Sequence, residues 1–306
     1  MRGIVTKSTG SWYDVKDDEG KVWQARIKGK FRLQGIKSTN PIAVGDDVEI
    51  EPEGDTNNAM IVSLHPRKNY IIRKSNNLSK QTQVIAANID QALLFVTLAL
   101  PRTSTGFIDR FLVTATAYHI PVILAFNKID LYEDEGMQLL REYEAIYEPL
   151  GYDCIQVSAK NGTNIAALKD KLKGKTTLVS GHSGVGKSTF INKLSDEIQQ
   201  KTGEISDYSL KGKHTTTFAE MFETEDGTRI IDTPGIKDFG VVDLAKTEVA
   251  HYFPEMKALM GSCRFNDCLH LNEPGCAVLK AIEEGTLRPE RYYSYLSIIN
   301  NEDVHH

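Results

Sequence analysis

The chain has no apolar run of the ~18 residues that a membrane-crossing helix needs. Its longest, around Gln91–Leu100, is the length of a strand. The first residues, MRGIVTKSTGSWYDV, lack the apolar core of a secretory signal. Cysteine is scarce: 4 in 306 residues, three of them between Cys263 and Cys276. Such crowding argues against a disulfide framework and fits a reducing compartment, so a cytoplasmic protein with no membrane contact is expected. Internal repeats, low-complexity tracts and coiled-coil heptads are also missing, and a monomer is expected. Net positive charge is lacking too. With 36 basic and 41 acidic residues the formal charge is −5, which argues against a general nucleic-acid coat protein. What remains is an ordinary globular balance, 41% apolar and 25% charged, over a length that suits about two domains or three smaller modules.

The few local excesses of charge lie near the N-terminus. Lys21, Arg26, Lys28, Lys30, Arg32 and Lys37 occupy one acid-free stretch, and Arg67, Lys68, Arg73, Lys74 and Lys80 another. Either stretch suits a polyanion, and either suits a solvated strand face; charge alone does not choose.

Three segments differ in pattern. Residues 1–65 read as short strands rich in Trp, Tyr, Val and Ile (SWYDV, KVWQARI, AVGDDVEIEP, AMIVSLHP), with DDEG as a hairpin turn. A small closed barrel disposes of their open edges, either a five-stranded oligonucleotide-binding (OB) fold or an SH3-like barrel. Pro66 to about Lys80 reads as a polar, basic connector. Residues 66–240 hold continuous apolar runs (QALLFVTLA, PVILAFNKID, DCIQVSAK, KTTLVSG, TRIIDTPG). Helix-like stretches separate the earlier ones, at Asp109–Tyr118, Gly136–Tyr147 and Asn164–Leu172. That alternation predicts an α/β domain with a parallel sheet covered on both faces and ligands at the C-terminal strand ends. Residues 241–306 predict a mostly helical module, with helices in EVAHYFPEMKALM, AVLKAIEEG and RPERYYSYLSIINNE, around the cysteine cluster.

The central segment carries a nucleotide signature. GHSGVGKS at Gly181–Ser188 follows an apolar strand and opens a short helix, Ser188–Leu194, which is the context of a phosphate-binding loop. Gly181, His182, Ser183, Gly184, Val185, Gly186, Lys187, Ser188 and Thr189 form the expected cradle. Its backbone N–H groups face phosphate, Lys187 reaches the β- and γ-phosphates, and Ser188 holds Mg²⁺. DTPG places Asp232 near the Mg²⁺ shell and Gly235 toward the γ-phosphate. NKID supplies Asn127, Lys128 and Asp130. A carboxylate at Asp130 accepts two hydrogen bonds from N1–H and the exocyclic amine of guanine, a pair adenine does not offer. Ser158, Ala159 and Lys160 close over the base, and KHTTT (213–217) offers Thr215 or Thr216 to the Mg²⁺ shell.

The order of these motifs is permuted. In Ras-like GTPases the phosphate loop comes first; here the base motifs precede it and DTPG comes last. Ras-like enzymes also place a Gln just after the DTPG glycine to orient water. Ile236 stands there, so His214 is the local candidate for the catalytic role.

Cys263-x4-Cys268-x-His270-x5-Cys276 offers three thiolates and one imidazole in fourteen residues, the donor set of a closed structural Zn²⁺ site. Cys154, far off in a strand, reads as core.

Taken together, the barrel, the permuted GTPase motifs and the Cys–Cys–His–Cys module resemble the RsgA (YjeQ/YloQ) family of bacterial ribosome-biogenesis GTPases over essentially the whole chain. The resemblance implies an OB barrel at 1–65, a circularly permuted P-loop GTPase at 66–240 and a zinc-finger domain at 241–306. It implies hydrolysis of GTP to GDP with Mg²⁺, stimulated by the 30S subunit, in late 30S assembly. It also assigns a functional histidine, matching His214, and a hydrophobic residue after DTPG, matching Ile236. With 16S rRNA as partner, Lys28, Lys30, Arg32 and Lys37, with Trp23 and Phe31, become expected contacts. The alternative is an RNA-binding assembly factor that uses guanine nucleotide only as a conformational ligand; Asp130 disfavours an ATPase.

Overall fold

The computed structural model describes residues 1–28, 41–74, 82–202, 219–232 and 244–300. The N-terminal strands β1 (Arg2–Ser8), β2 (Tyr13–Asp17), β3 (Val22–Ile27), β4 (Asp47–Pro52) and β5 (Asn58–Leu64) run in the spatial order β1-β2-β3-β5-β4. A β1–β4 pairing closes the ring. Side chains on a strand alternate between faces, and this period of two sends Val5, Tyr13, Val15, Trp23, Ala25, Val48, Ile50 and Ile61 inward. The DDEG turn forms as expected, with the Asp17 carboxylate accepting the amides of Glu19 and Lys21. It also accepts the Trp23 indole N–H at 2.8 Å. Trp23 is therefore a core residue, only 6% exposed, which corrects its placement among the RNA contacts.

Residues 66–74 are more than a connector. β6 (Tyr70–Lys74) pairs antiparallel with β7 (Thr82–Ala87), because Ile71 is buried beside Ala86. The flanking cations are paired: Arg67 with Asp46 at 2.6 Å, and Lys68 with Asp90.

The central sheet comprises β8 (Gln91–Val96), β9 (Val122–Phe126), β10 (Asp153–Gln156), β11 (Thr176–Ser180), β12 (Glu220–Glu223) and β13 (Arg229–Asp232), in the order β10-β9-β8-β11-β13-β12. All neighbours are parallel except β12–β13. Leu94, Val96, Leu124, Phe126 and Leu178 fill one face and Leu93, Phe95, Ile123, Ala125 and Val179 the other. Both faces being apolar explains the unbroken hydrophobic runs. The helices are α1 (Thr105–Ala117), α2 (Asp134–Tyr147), α3 (Ile165–Leu172) and α4 (Lys187–Thr202), the last longer than the expected Ser188–Leu194. β12 also pairs with β1, so the barrel continues the sheet, and Lys7–Glu220 and Lys16–Glu223 bridges reinforce the joint.

The C-terminal module holds α5 (Pro254–Lys257), α6 (Ala277–Glu283) and α7 (Pro289–Ile299). The expected helix in EVAHYFPEMKALM is broken at Phe253. A residue before proline is pushed to extended backbone, leaving a single turn at Val249–Tyr252 ahead of α5. Val113 of α1 shares the module's core with Phe253, Met256, Tyr295 and Ile298. Arg291 of α7, 1% exposed, is gripped by Asp109 of α1 at 2.5 Å and Glu255 of α5 at 2.6 Å. Among the described residues, no helix is long and apolar enough to cross a membrane.

Candidate nucleotide and metal sites

Every described nucleotide motif falls at the C-terminal end of a parallel strand. The phosphate loop leaves β11 and enters α4 at Lys187. Two of its glycines permit close backbone approach. A Cβ on Gly181 would lie 2.6 Å from the Phe95 carbonyl oxygen, and one on Gly186 2.2 Å from Asn127 Nδ2. Gly186 also has φ of +102°, a region that disfavours any side chain. Lys187 Nζ donates to the carbonyls of Gly181 (2.6 Å) and His182 (2.7 Å). Burial pulls its ammonium below the usual lysine range, and the charge of nearby Asp232 opposes that. Asp232 ends β13, 6% exposed. Ser183, Gly184, Ser188 and Thr189 are exposed, while the Val185 side chain is core. The His182 ring packs on Phe107 of α1, with centroids 3.8 Å apart.

Asn127 ties the base motifs to this loop. It is 2% exposed. Its Nδ2 donates to the Val185 carbonyl at 2.7 Å, and its Oδ1 accepts the Ala159 amide at 2.9 Å. One side chain thus joins loops from three strands. Ser158, fully buried, donates from Oγ to Asp130 Oδ1 at 2.5 Å and accepts the Asn161 amide. Asp130 itself is exposed. Lys128 adopts left-handed backbone (φ 65°), and its Nζ donates to the Leu100 carbonyl at 2.5 Å. Lys160 is exposed, its carbonyl accepting from Lys193. His214, Thr215, Thr216, Gly235 and Ile236 lie outside the described residues. Sequence reasoning missed the connector from β8 to α1. Pro101 lies beside the phosphate loop, where a Cβ on Gly184 would be 3.6 Å from its Cδ, and the Leu100 carbonyl accepts from Lys128. No motif marks that connector.

In the C-terminal module, Cys263, Cys268, His270 and Cys276 place their donor atoms within 4.8 Å of one another. His270 Nδ1 is 3.4 Å from Cys276 Sγ and 3.7 Å from Cys263 Sγ. Tetrahedral bonds of ~2.0–2.3 Å require donor separations of this size, so the four residues fit a metal ion. Backbone N–H groups already point at two sulfurs: Ala277 at Cys263 (3.3 Å) and Leu279 at Cys276 (3.5 Å). Burial pushes the Cys268 thiol up to about 12 and raises Cys276 as well. A cation reverses that preference by stabilising thiolate. Glu273 accepts three amides of the knuckle, from Leu269, Leu271 and Asn272. Tyr292 and Tyr295 of α7 donate to the carbonyls of His270 and Leu269. Cys154 sits apart in β10, its thiol pushed up to about 12 by burial, as a core cysteine should be.

With this geometry in place, comparison with known proteins is decisive. Residues 64–242 match the RsgA GTPase family and residues 2–61 the RsgA N-terminal domain. The chain belongs to the RsgA GTPase family. It is 53% identical over 305 residues to the small ribosomal subunit biogenesis GTPase RsgA of Christiangramia forsetii, covering 99% of this chain and 97% of that one. The Bacteroides fragilis protein of the same name is 51% identical with the same coverage. The crystal structure of YjeQ from Thermotoga maritima superposes with a TM-score of 0.78 at 35% identity, covering 98% of this chain and 97% of that one. YloQ, described as a circularly permuted GTPase, gives 0.75 at 31%, covering 98% and 94%. The chain thus joins an OB-like barrel, a circularly permuted GTPase domain and a Cys₃His module.

Proposed function

We propose that this GTPase hydrolyses GTP to GDP and phosphate in the cleft framed by Asp130, Asn127, Lys187 and Asp232, and that it serves the late maturation of the small ribosomal subunit. The observation that carries the reading is the Asn127 knot, which fixes the base, closing and phosphate loops in one cleft. Asp130, steadied by Ser158, reads the guanine edge, and Lys187 exchanges its carbonyl partners for β- and γ-phosphate oxygens. Ser188 and Asp232, with Thr215 or Thr216, would hold Mg²⁺, which neutralises developing phosphate charge. His214 substitutes for the missing Gln in orienting water. The four-donor knuckle takes Zn²⁺ as a structural ion. The protein acts as a cytoplasmic monomer.

The 30S subunit and its 16S rRNA are the proposed partners. On the barrel, Arg26 and Lys28 pair with Glu53 and Glu51 at 3.3 and 3.2 Å, all exposed. Such surface pairs contribute only about 0–1 kcal/mol, so RNA phosphate can displace them. Trp12, 43% exposed with the Arg26 guanidinium 5.8 Å from its ring, offers the stacking face that buried Trp23 does not. Lys30, Phe31, Arg32 and Lys37 lie outside the described residues. The test is phosphate release measured alone, with purified 30S and with 50S subunits. Only 30S is expected to raise turnover, by at least about tenfold. No stimulation, with nucleotide-dependent 30S binding retained, would favour the purely conformational role that Ile236 leaves open.

A further inference from the structure

We infer that Tyr132 is a positioning residue for guanine recognition, its hydroxyl fixing the backbone from which Asp130 reads the base. The inference rests on the role given to Asp130 above. Tyr132 lies two residues past Asp130, where the turn Ile129–Leu131 leads into α2. Its Oη donates to the Asn127 carbonyl at 2.7 Å and accepts the Leu98 amide at 2.8 Å. Asn127 opens the base loop after β9; Leu98, 5% exposed, belongs to the connector after neighbouring β8. One hydroxyl therefore pins the end of the base loop back to its beginning and to the adjacent loop.

The loop needs that pin. Lys128 sits in left-handed backbone, which costs an L-residue roughly 1–2 kcal/mol and persists only where the surroundings impose it. Asp130 is exposed, so core packing does not hold it, and its Ser158 contact fixes one oxygen only. The Tyr132 ring is packed against the core of the α1–α2 face. Gly136, in the first turn of α2, leaves it room: a Cβ there would lie 3.0 Å from Tyr132 Cβ. Burial raises the phenol further above the usual tyrosine range, so the hydroxyl remains a donor at working pH.

Guanine offers Asp130 two hydrogen bonds that must be satisfied at once; hypoxanthine keeps N1–H and lacks the amine. A slack loop loses the two-point contact first. The experiment is titration of the full-length protein and of Tyr132→Phe with GTP and inosine triphosphate, beside steady-state kinetics with 30S. The wild type is expected to prefer GTP by about tenfold or more. In Tyr132→Phe, GTP affinity should fall about tenfold and inosine triphosphate affinity less than about threefold, compressing the ratio. KM for GTP should rise while kcat at saturation stays within about twofold. The ratio is insensitive to any loss of folded protein, because both nucleotides bind the same folded fraction. An unchanged ratio in Tyr132→Phe overturns the positioning role and leaves the Asp130 reading intact. A wild type indifferent to the two nucleotides overturns both.

Discussion

The base side of the nucleotide cleft and the Cys₃His knuckle are both made of loops, yet they are held in opposite ways. Around Asn127, neutral hydrogen bonds join three strand ends, and each buried polar atom of that amide has a protein partner. Folding completes this region before any nucleotide arrives. In the knuckle, three thiols and an imidazole converge, and burial drives two of the thiols toward the protonated form. The backbone donors aimed at Cys263 and Cys276 suit thiolate, so the protein frame and the solvation of its ligands conflict. A cation at the proposed site would resolve the conflict. One region is complete before its ligand arrives; the other converges its donors on a place for one.

Metal removal should break this contrast most sharply. Structural zinc sites bind with apparent free energies of about 10–16 kcal/mol, all of it available to folding. The purified protein is expected to contain one zinc per chain by elemental analysis, and Cys268→Ser none. Chelation should expose the amides of residues 244–300 to hydrogen exchange and leave GDP affinity within about threefold of its starting value. Protection of 244–300 that survives chelation would show the knuckle to be as self-sufficient as the Asn127 knot.

The next effect concerns how the module is held to the GTPase domain. Arg291 is sealed between Asp109 and Glu255, under the ring of Phe253 at 4.7 Å. Removing one member of a buried ion cluster strands the opposite charge, at a typical cost of 3–5 kcal/mol. Arg291→Met should lose about that much stability in urea unfolding. Adding Asp109→Asn should restore part of it, because the stranded carboxylate is gone. If the double variant is less stable than the single, packing around Arg291, and not its charge, joins the two units.

Much of this architecture was legible from residue pattern. Continuous apolar runs marked β8, β9, β11 and β13, and the spacing Cys263–Cys276 marked the knuckle. The rest failed for identifiable reasons. β6 was hidden because Tyr70–Ile72 stands among cations that read as linker, although Ile71 is fully buried. Trp23 suggests base stacking by its aromatic ring alone, but the alternation of β3 sends it and Ala25 inward. Arg291 carries no local signal of its role; its partner Asp109 lies 182 residues away in the chain. Asn127 was expected at the site, but its bond to Val185 spans 58 residues and belongs to the tertiary fold alone.

The smallest effect sharpens the contrast within the nucleotide cleft itself. On the base side the Asn127 amide has its partners, but the phosphate side holds a lysine ammonium in partial burial between two carbonyls. Burial lowers its pKa below that of the unfolded chain, so folding disfavours the ammonium relative to the unfolded state. Stability from this group is therefore fully present only above the ordinary lysine pKa, and it is lost as pH falls through the lowered value. At neutral pH the charge is a standing cost, which phosphate oxygens would offset in the proposed nucleotide complex. Lys187→Met should thus melt about 2–4 °C higher than the nucleotide-free wild type at pH 7, while losing the stabilisation that GDP confers on the wild type. The gap should narrow as pH approaches 10 and the wild-type amine loses its proton. A variant that melts below the wild type at pH 7 would mean that Lys187 is as well satisfied without nucleotide as Asn127 is, and that both halves of the cleft are equally at rest.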